Sequence, residues 1–109
     1  MVVGVTPHEA QELISRGEVE VIDVRDPGEW SGGHIAGARL LPLSQLRSNP
    51  QSALGRDGVV FVCAAGVRSA SAARIAEAQG LGRVYNLTGG TRAWVKAGFG
   101  LVNDISVAV

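Results

Sequence analysis

Residues 59–63 (VVFVC) are apolar and mostly β-branched, with no alternation of apolar and polar positions. A strand with one solvated face alternates, so a run without alternation belongs in a sheet covered on both faces, as parallel sheets are. Parallel neighbours need long crossover connections, usually helical. The rest of the chain supplies them, because strand-like runs at 19–23 (VEVID), 38–41 and 83–87 (RVYNL) alternate with helical patterns. This predicts an α/β fold: a small parallel sheet of about five strands flanked by helices on both faces.

The first helix has the clearest start. Thr6 is the N-cap, Pro7 fits the first helical position, and Glu9 completes a capping box. Ala10, Leu13 and Ile14 share one face, and Gly17 is the stop. Asp26-Pro27-Gly28 opens a turn in which Glu29 and Trp30 begin a short helical turn. Gly32, Gly33 and Gly37 punctuate the chain before the strand at 38–41, residues 42–46 read as a brief helix, and Asn49-Pro50 reads as a loop. Residues 69–79 are helical and alanine-rich, with Ala72, Ile75, Ala76 and Gln79 on one side, which permits close approach to a sheet. Gly89-Gly90 precede a last helix over 91–97, stopped by Gly98, while residues 99–109 are apolar without a period and receive no assignment.

A chain of 109 residues fits one domain, 1–109, with a real core. Its formal net charge of zero offers no field to recruit nucleic acid or an anionic membrane. The positive charge is nearly all arginine, Lys96 being the sole lysine. No apolar stretch approaches a membrane span, and the N-terminal MVVGVTPHEA lacks a basic region followed by a long apolar core. One cysteine excludes an internal disulfide. A cytoplasmic, monomeric protein is the expectation. His8 and His34 are too separated to give zinc-ligand spacing with that cysteine, and no cofactor is expected.

That cysteine, Cys63, falls at the carboxyl end of the most strand-like segment and opens CAAGVRS, just before the alanine-rich helix. Taken alone, a single cysteine is most often a packed core residue. Its place in this chain argues for more. Ligands of open α/β sheets collect outside the carboxyl ends of the strands. The N–H groups of a short loop entering a helix form a concave anion site that lowers a thiol pKa. Gly66 gives the loop freedom to curl, and Arg68 can place a fixed positive charge near it. Cations are disfavoured at a helix N-terminus unless an anion offsets them, so Arg68 is read as part of the site rather than as a solvated residue. Four residues separate Cys63 from Arg68. The loop of cysteine-dependent phosphatases is one residue longer and seats a tetrahedral phosphate; a smaller ring better suits one extra sulfur atom on the thiolate.

Three ordered stretches carry a resemblance over nearly the whole chain: IDVRDPGEWSGGHIAGARLLPL at 22–43, CAAGVRSASAA from Cys63, and LTGGTRAW at 87–94. Together they resemble a single-domain rhodanese. The resemblance implies the rhodanese-like α/β fold and a sulfurtransferase with Cys63 as nucleophile. The thiolate takes the outer sulfur of a small-molecule donor such as thiosulfate, and a thiol or cyanide acceptor removes it from the Cys63 persulfide. A protein persulfide or a thioredoxin-like protein is a further implied partner. The loop Ala64, Ala65, Gly66, Val67, Arg68 and Ser69 then holds the anionic substrate through its N–H groups. Members active on thiosulfate often carry a basic or polar residue just after the cysteine and a hydroxyl next; Ala64 and Ala65 stand here instead. A non-catalytic binding or regulatory module of the same fold stays open, as does, less favoured, a phosphatase or arsenate reductase.

The remaining signature residues read as structural. Asp23 and Arg25 pin the turn after their strand by pairing with neighbours, Glu29 among them, and His34 is hydrogen-bonded within its glycine-rich loop. Trp30 and Trp94 pack in the core or against loops. Arg92 faces either the pocket or solvent.

Overall fold

The computed structural model describes residues 1–103. In its central strand β4 (Val59–Val62) every residue is buried, and alternate side chains enter two separate cores. Val59, Phe61 and Cys63 join Ile22, Val24, Leu46, Ala72 and Ala76 on one face. Val60 and Val62 join Val5, Ala10, Val21, Leu87 and Trp94 on the other. Both faces of this strand are dry, which is why its sequence does not alternate.

The partners of β4 are β2 (Glu20–Asp23), with Asp23 opposite Val62, and β5 (Val84–Leu87), with Asn86 opposite Phe61. The edges are β3 (Arg39–Leu40) beside β2 and β1 (Val2–Val5) beside β5, so the order is β1-β5-β4-β2-β3 and every pairing is parallel. The strand β1 completes the expected five, yet its own pattern does not mark it, since Val5 alone is buried and Val3 lies open to solvent.

Helices cover both faces, as the alternation of elements predicts. Against the Val60 side lie α1 (Pro7–Ser15) and α6 (Gly90–Lys96), through Ala10 and Trp94. Against the Phe61 side lie α3 (Leu43–Ser48), α4 (Pro50–Ala53) and α5 (Val67–Ala78). Ala72, Ala73 and Ala76 of α5 are fully buried, and their small side chains bring the helix backbone close to the sheet. The short α2 (Pro27–Ser31) follows β2 and buries none of its residues.

Local chemistry sets the helix ends. At α1 both capping-box bonds form, from the Glu9 N–H to Thr6 Oγ1 (3.1 Å) and from the Thr6 N–H to Glu9 Oε1 (2.8 Å). Thr6→Ala removes one of them and should cost about 1 kcal/mol, read as a lower urea midpoint with an unchanged slope. Most boundaries differ from the sequence expectation by one or two residues, and three of the differences have a local cause. Helix α5 starts two residues earlier than 69, because Gly66, at φ +100°, turns the chain directly into it. Helix α6 starts at Gly90 rather than Thr91, and Asn49-Pro50, read as a loop, opens α4 with the proline in its first turn. Of the unassigned tail, Phe99 packs on Trp94 and His8, and Val102 bridges antiparallel to His34; residues 104–109 lie outside the described residues. Among the described residues no helix is long and apolar enough to cross a membrane.

Candidate active site

Cys63 directly follows β4, and its thiol is buried in the core that also holds Phe61. The chain curls back over it so that the Gly66 N–H donates to Sγ at 3.1 Å. That curl is why residue 66 is a glycine. Its φ of +100° is a left-handed conformation that side chains rarely adopt, and a Cβ there would stand 3.2 Å from the Gly89 nitrogen. Ser69, in the first turn of α5 and fully buried, brings its Oγ to 3.3 Å from the sulfur.

The loop is held from behind by α6. Its first-turn N–H groups have no partners within the helix, and two find them in loop carbonyls: Thr91 donates to Cys63 O (2.8 Å) and Arg92 to Ala64 O (3.2 Å). In a trans peptide the N–H points opposite to the C=O. Drawing these two carbonyls toward α6 therefore turns the N–H groups of Ala64 and Ala65 the other way. Burial pushes the Cys63 thiol up, but the Ser69 hydroxyl and the N–H groups of Ser69, Ala65 and Gly66 outweigh it, and the thiol sits below its ordinary value.

Arg68 brings its positive charge close enough to Cys63 to interact with it, but shares that charge with a carboxylate. Its two terminal nitrogens grip the Glu29 carboxylate, Nη1 to Oε1 at 2.7 Å and Nη2 to Oε2 at 2.9 Å. This bidentate bond, with the Asp26 N–H, pulls the Glu29 pKa down to about 2 and raises that of Arg68. The anion that offsets a cation at the start of α5 is thus a carboxylate from α2. Glu29 accordingly does not pair with Asp23 or Arg25, contrary to the sequence expectation. Those two pair with each other: Arg25 Nη2 donates to Asp23 Oδ2 (2.8 Å) and to Gly33 O (2.8 Å), pinning the turn after β2 to the glycine-rich stretch. His34 is buried there, stacked on Trp30 at 3.5 Å, its Nδ1 at 3.2 Å from Trp30 O. Trp94 is a core residue whose Nε1 donates to Gly100 O. The Arg92 side chain faces solvent.

Of the loop residues singled out from sequence, Cys63, Ala65, Gly66 and Ser69 converge on the sulfur, Ala64 anchors the backbone to α6, and Val67 is 76% exposed. Sequence reasoning missed Asn86 on β5. Its Oδ1 accepts from Ser69 Oγ (2.5 Å) and its Nδ2 donates to Gly66 O (3.2 Å). One signal was present: Asn86 is two residues from Val84, so it shares the buried face of an inner strand, where a polar side chain needs partners.

Fold and site define a small parallel α/β domain that holds one cysteine thiol in an anion-stabilising loop. The chain belongs to the rhodanese-like domain family, whose model matches residues 6–97. It is 39% identical over 90 residues to the thiosulfate sulfurtransferase GlpE of Ectopseudomonas mendocina, covering 83% of this chain and 82% of that one. It is 42% identical over 77 residues, 71% of its length, to an uncharacterized Bacillus subtilis protein, of which it spans 61%. It spans 24% of a Mycobacterium tuberculosis protein described as a probable adenylyltransferase/sulfurtransferase, MoeZ, at 40% identity over 95 residues, 84% of this chain. Among solved structures, a rhodanese-related protein from Thermoplasma volcanium superposes with a TM-score of 0.81 at 33% identity, covering 92% of this chain and 97% of that one.

Proposed function

We propose that the protein is a sulfurtransferase that carries sulfane sulfur on Cys63. The observation that carries this reading is the convergence of the Gly66 N–H and the Ser69 hydroxyl on a buried thiol. Such a cradle stabilises a negative charge on sulfur, whether thiolate or persulfide. In the first half-reaction the thiolate attacks the outer sulfur of the donor. The bond between that sulfur and the rest of the donor breaks, and the leaving group (sulfite, from thiosulfate) departs with the electron pair. In the second, cyanide or a thiolate attacks the outer sulfur of the Cys63 persulfide and expels the Cys63 thiolate. The electron pairs balance within each step, so no external redox partner is needed, and the kinetics are ping-pong. The family membership and the relative named as a thiosulfate sulfurtransferase support the same chemistry.

The engagement of Arg68 by Glu29 favours sulfur transfer over phosphoryl transfer, because the end-on fork of the guanidinium, the one formed by its two terminal nitrogens, is already taken by a carboxylate. It also bears on the donor. With Arg68 shared with Glu29 and alanines at 64 and 65, the loop offers a dianion no unshared side-chain cation. Ala64→Arg should therefore raise kcat/KM for thiosulfate about tenfold, read as thiocyanate formed from thiosulfate and cyanide, since each charge-assisted bond contributes on that scale. Equal efficiency in the two proteins would remove the charge argument. The expected partners are a small sulfur donor with a thiol or cyanide acceptor, or a protein persulfide or thioredoxin-like thiol. We take residues 1–109 as one domain, acting as a monomer in the cytoplasm. Intact-mass measurement after incubation with thiosulfate or polysulfide tests the proposal: one added sulfur atom per chain supports it, and no adduct with either donor overturns it.

A further inference from the structure

Ser69 has one hydroxyl hydrogen and two neighbours that want it. Asn86 Oδ1 stands 2.5 Å from Ser69 Oγ, and Cys63 Sγ stands 3.3 Å from the same atom. The orientation of the Asn86 amide is not free. Its other end meets the Gly66 carbonyl at 3.2 Å, which only accepts, so Nδ2 lies there and Oδ1 faces Ser69. Between Oγ and Oδ1 a single hydrogen satisfies both atoms, and it is the hydroxyl's. While that hydrogen points at Asn86, Ser69 presents lone pairs to the sulfur and receives the thiol S–H. When the sulfur is an anion it has no hydrogen to give. The hydroxyl must then turn to the sulfur and leave Oδ1 without its donor. The four groups form a closed ring, from Sγ through Ser69 and the Asn86 amide to the carbonyl of Gly66, whose own N–H, one peptide earlier, returns to Sγ.

We propose that Asn86 is a positioning residue for the thiol: it competes with the sulfur for the Ser69 hydroxyl hydrogen and thereby limits how strongly Ser69 supports the anionic sulfur. Its place on β5, opposite Phe61 of β4, fixes the amide on a rigid strand while the loop it regulates is the one that carries the sulfur. The nearby charges act on the sulfur but stay constant while the thiol titrates. Arg68 on α5 and Glu29 on α2 are paired, and the shifts of both place their titration far from the thiol range. Asp23 and Arg25 are closed on each other at the end of β2, and Arg92 of α6 extends to solvent.

The use of this device in turnover rests on the sulfur-carrier reading, but its test does not. The rate of thiol alkylation by iodoacetamide against pH reports the ionisation of Cys63 in the free protein whatever reaction it performs. In Asn86→Leu, of similar size but without an acceptor, Ser69 has the sulfur as its one remaining partner from this set. Ser69→Ala should then raise the alkylation midpoint about ten times more, expressed as an ionisation constant, than it does in the wild-type background, because a bond to an anion outweighs one shared with a neutral amide. Asn86→Asp, which keeps an acceptor and adds charge, should move the midpoint up, opposite to Asn86→Leu. A purely structural role, loosening the loop by loss of the bond to Gly66 O, would shift both variants the same way. That outcome, or an equal effect of Ser69→Ala in the two backgrounds, overturns the proposal. If Asn86→Asp fails to fold, the Asn86→Leu pair still decides.

Discussion

Cys63→Ala should load no sulfur and should transfer it no faster than a solution without protein, while keeping its fold. The loss of function follows from the geometry, because the bonds from Gly66 and Ser69 end on the sulfur and no second thiol exists to replace it. The retention of fold follows from size. Replacing the thiol by hydrogen, which leaves a methyl group in the core beside Phe61, removes one heavy atom from a dry cluster, a cost of about 1 kcal/mol. Cys63→Ser should be equally dead, since an alcohol does not ionise in this pH range and forms no persulfide. In the wild type the loading rate should rise with pH as the thiolate forms and level off below the ordinary thiol value of 9.0. The same depression has a thermodynamic sign. Between the folded and unfolded thiol pKa values the unfolded chain binds more protons, so stability rises with pH there. The contribution is full above the unfolded value and is lost as pH falls through the folded one. Denaturant midpoints of wild type and Cys63→Ala across that window should converge or part by this term alone. Mass spectrometry of the variant is the sharper test: an added sulfur atom on Cys63→Ala would place the carrier elsewhere.

The features legible in the sequence are those written in a few adjacent residues. The capping box of Thr6 and Glu9, the double burial of VVFVC and the backbone demand at Gly66 each rest on local rules, and each is found as expected. What was not legible depends on contacts between polar groups far apart in the chain. Arg68 reaches Glu29 across 39 positions, and Asn86 reaches Gly66 and Ser69 across 20 and 17. No periodicity marks such pairs, because each depends on where two elements meet after the sheet has formed. The strand β1 was faint for a related reason. As an exposed edge it buries only Val5, so its pairing with β5, not its own pattern, makes it a strand. Arg68 shows the limit most clearly. The helix-dipole argument rightly required an anion near that cation, but nothing local could say that the anion was already present in the protein.

Gly90→Ala should be the most damaging single methyl in the chain. Its effect is expected at the thiol, although Gly90 lies on α6, a separate element from the loop that carries the sulfur. A Cβ built at Gly90 runs into the Cys63 carbonyl oxygen and lies 2.5 Å from the carbonyl carbon and oxygen of Ala64. These are backbone atoms and have no rotamer through which to yield. They are also the carbonyls that Thr91 and Arg92 hold, so the clash falls on the contact that orients the loop. Either α6 withdraws and two helix N–H groups lose their partners, or the loop shifts and its N–H groups leave the sulfur. The φ of +63° adds the left-handed penalty for a side chain. The sum should be roughly 3 kcal/mol of lost stability, with sulfur loading reduced about a hundredfold, the scale on which misplacement by an ångström acts. Gly98→Ala separates the two causes. At φ +98° it carries the same backbone penalty, but its Cβ meets nothing within 4 Å. It should lose about 1–2 kcal/mol and keep its loading rate. A folded Gly90→Ala protein that loads sulfur as fast as the wild type would show that α6 does not hold the loop in its working shape.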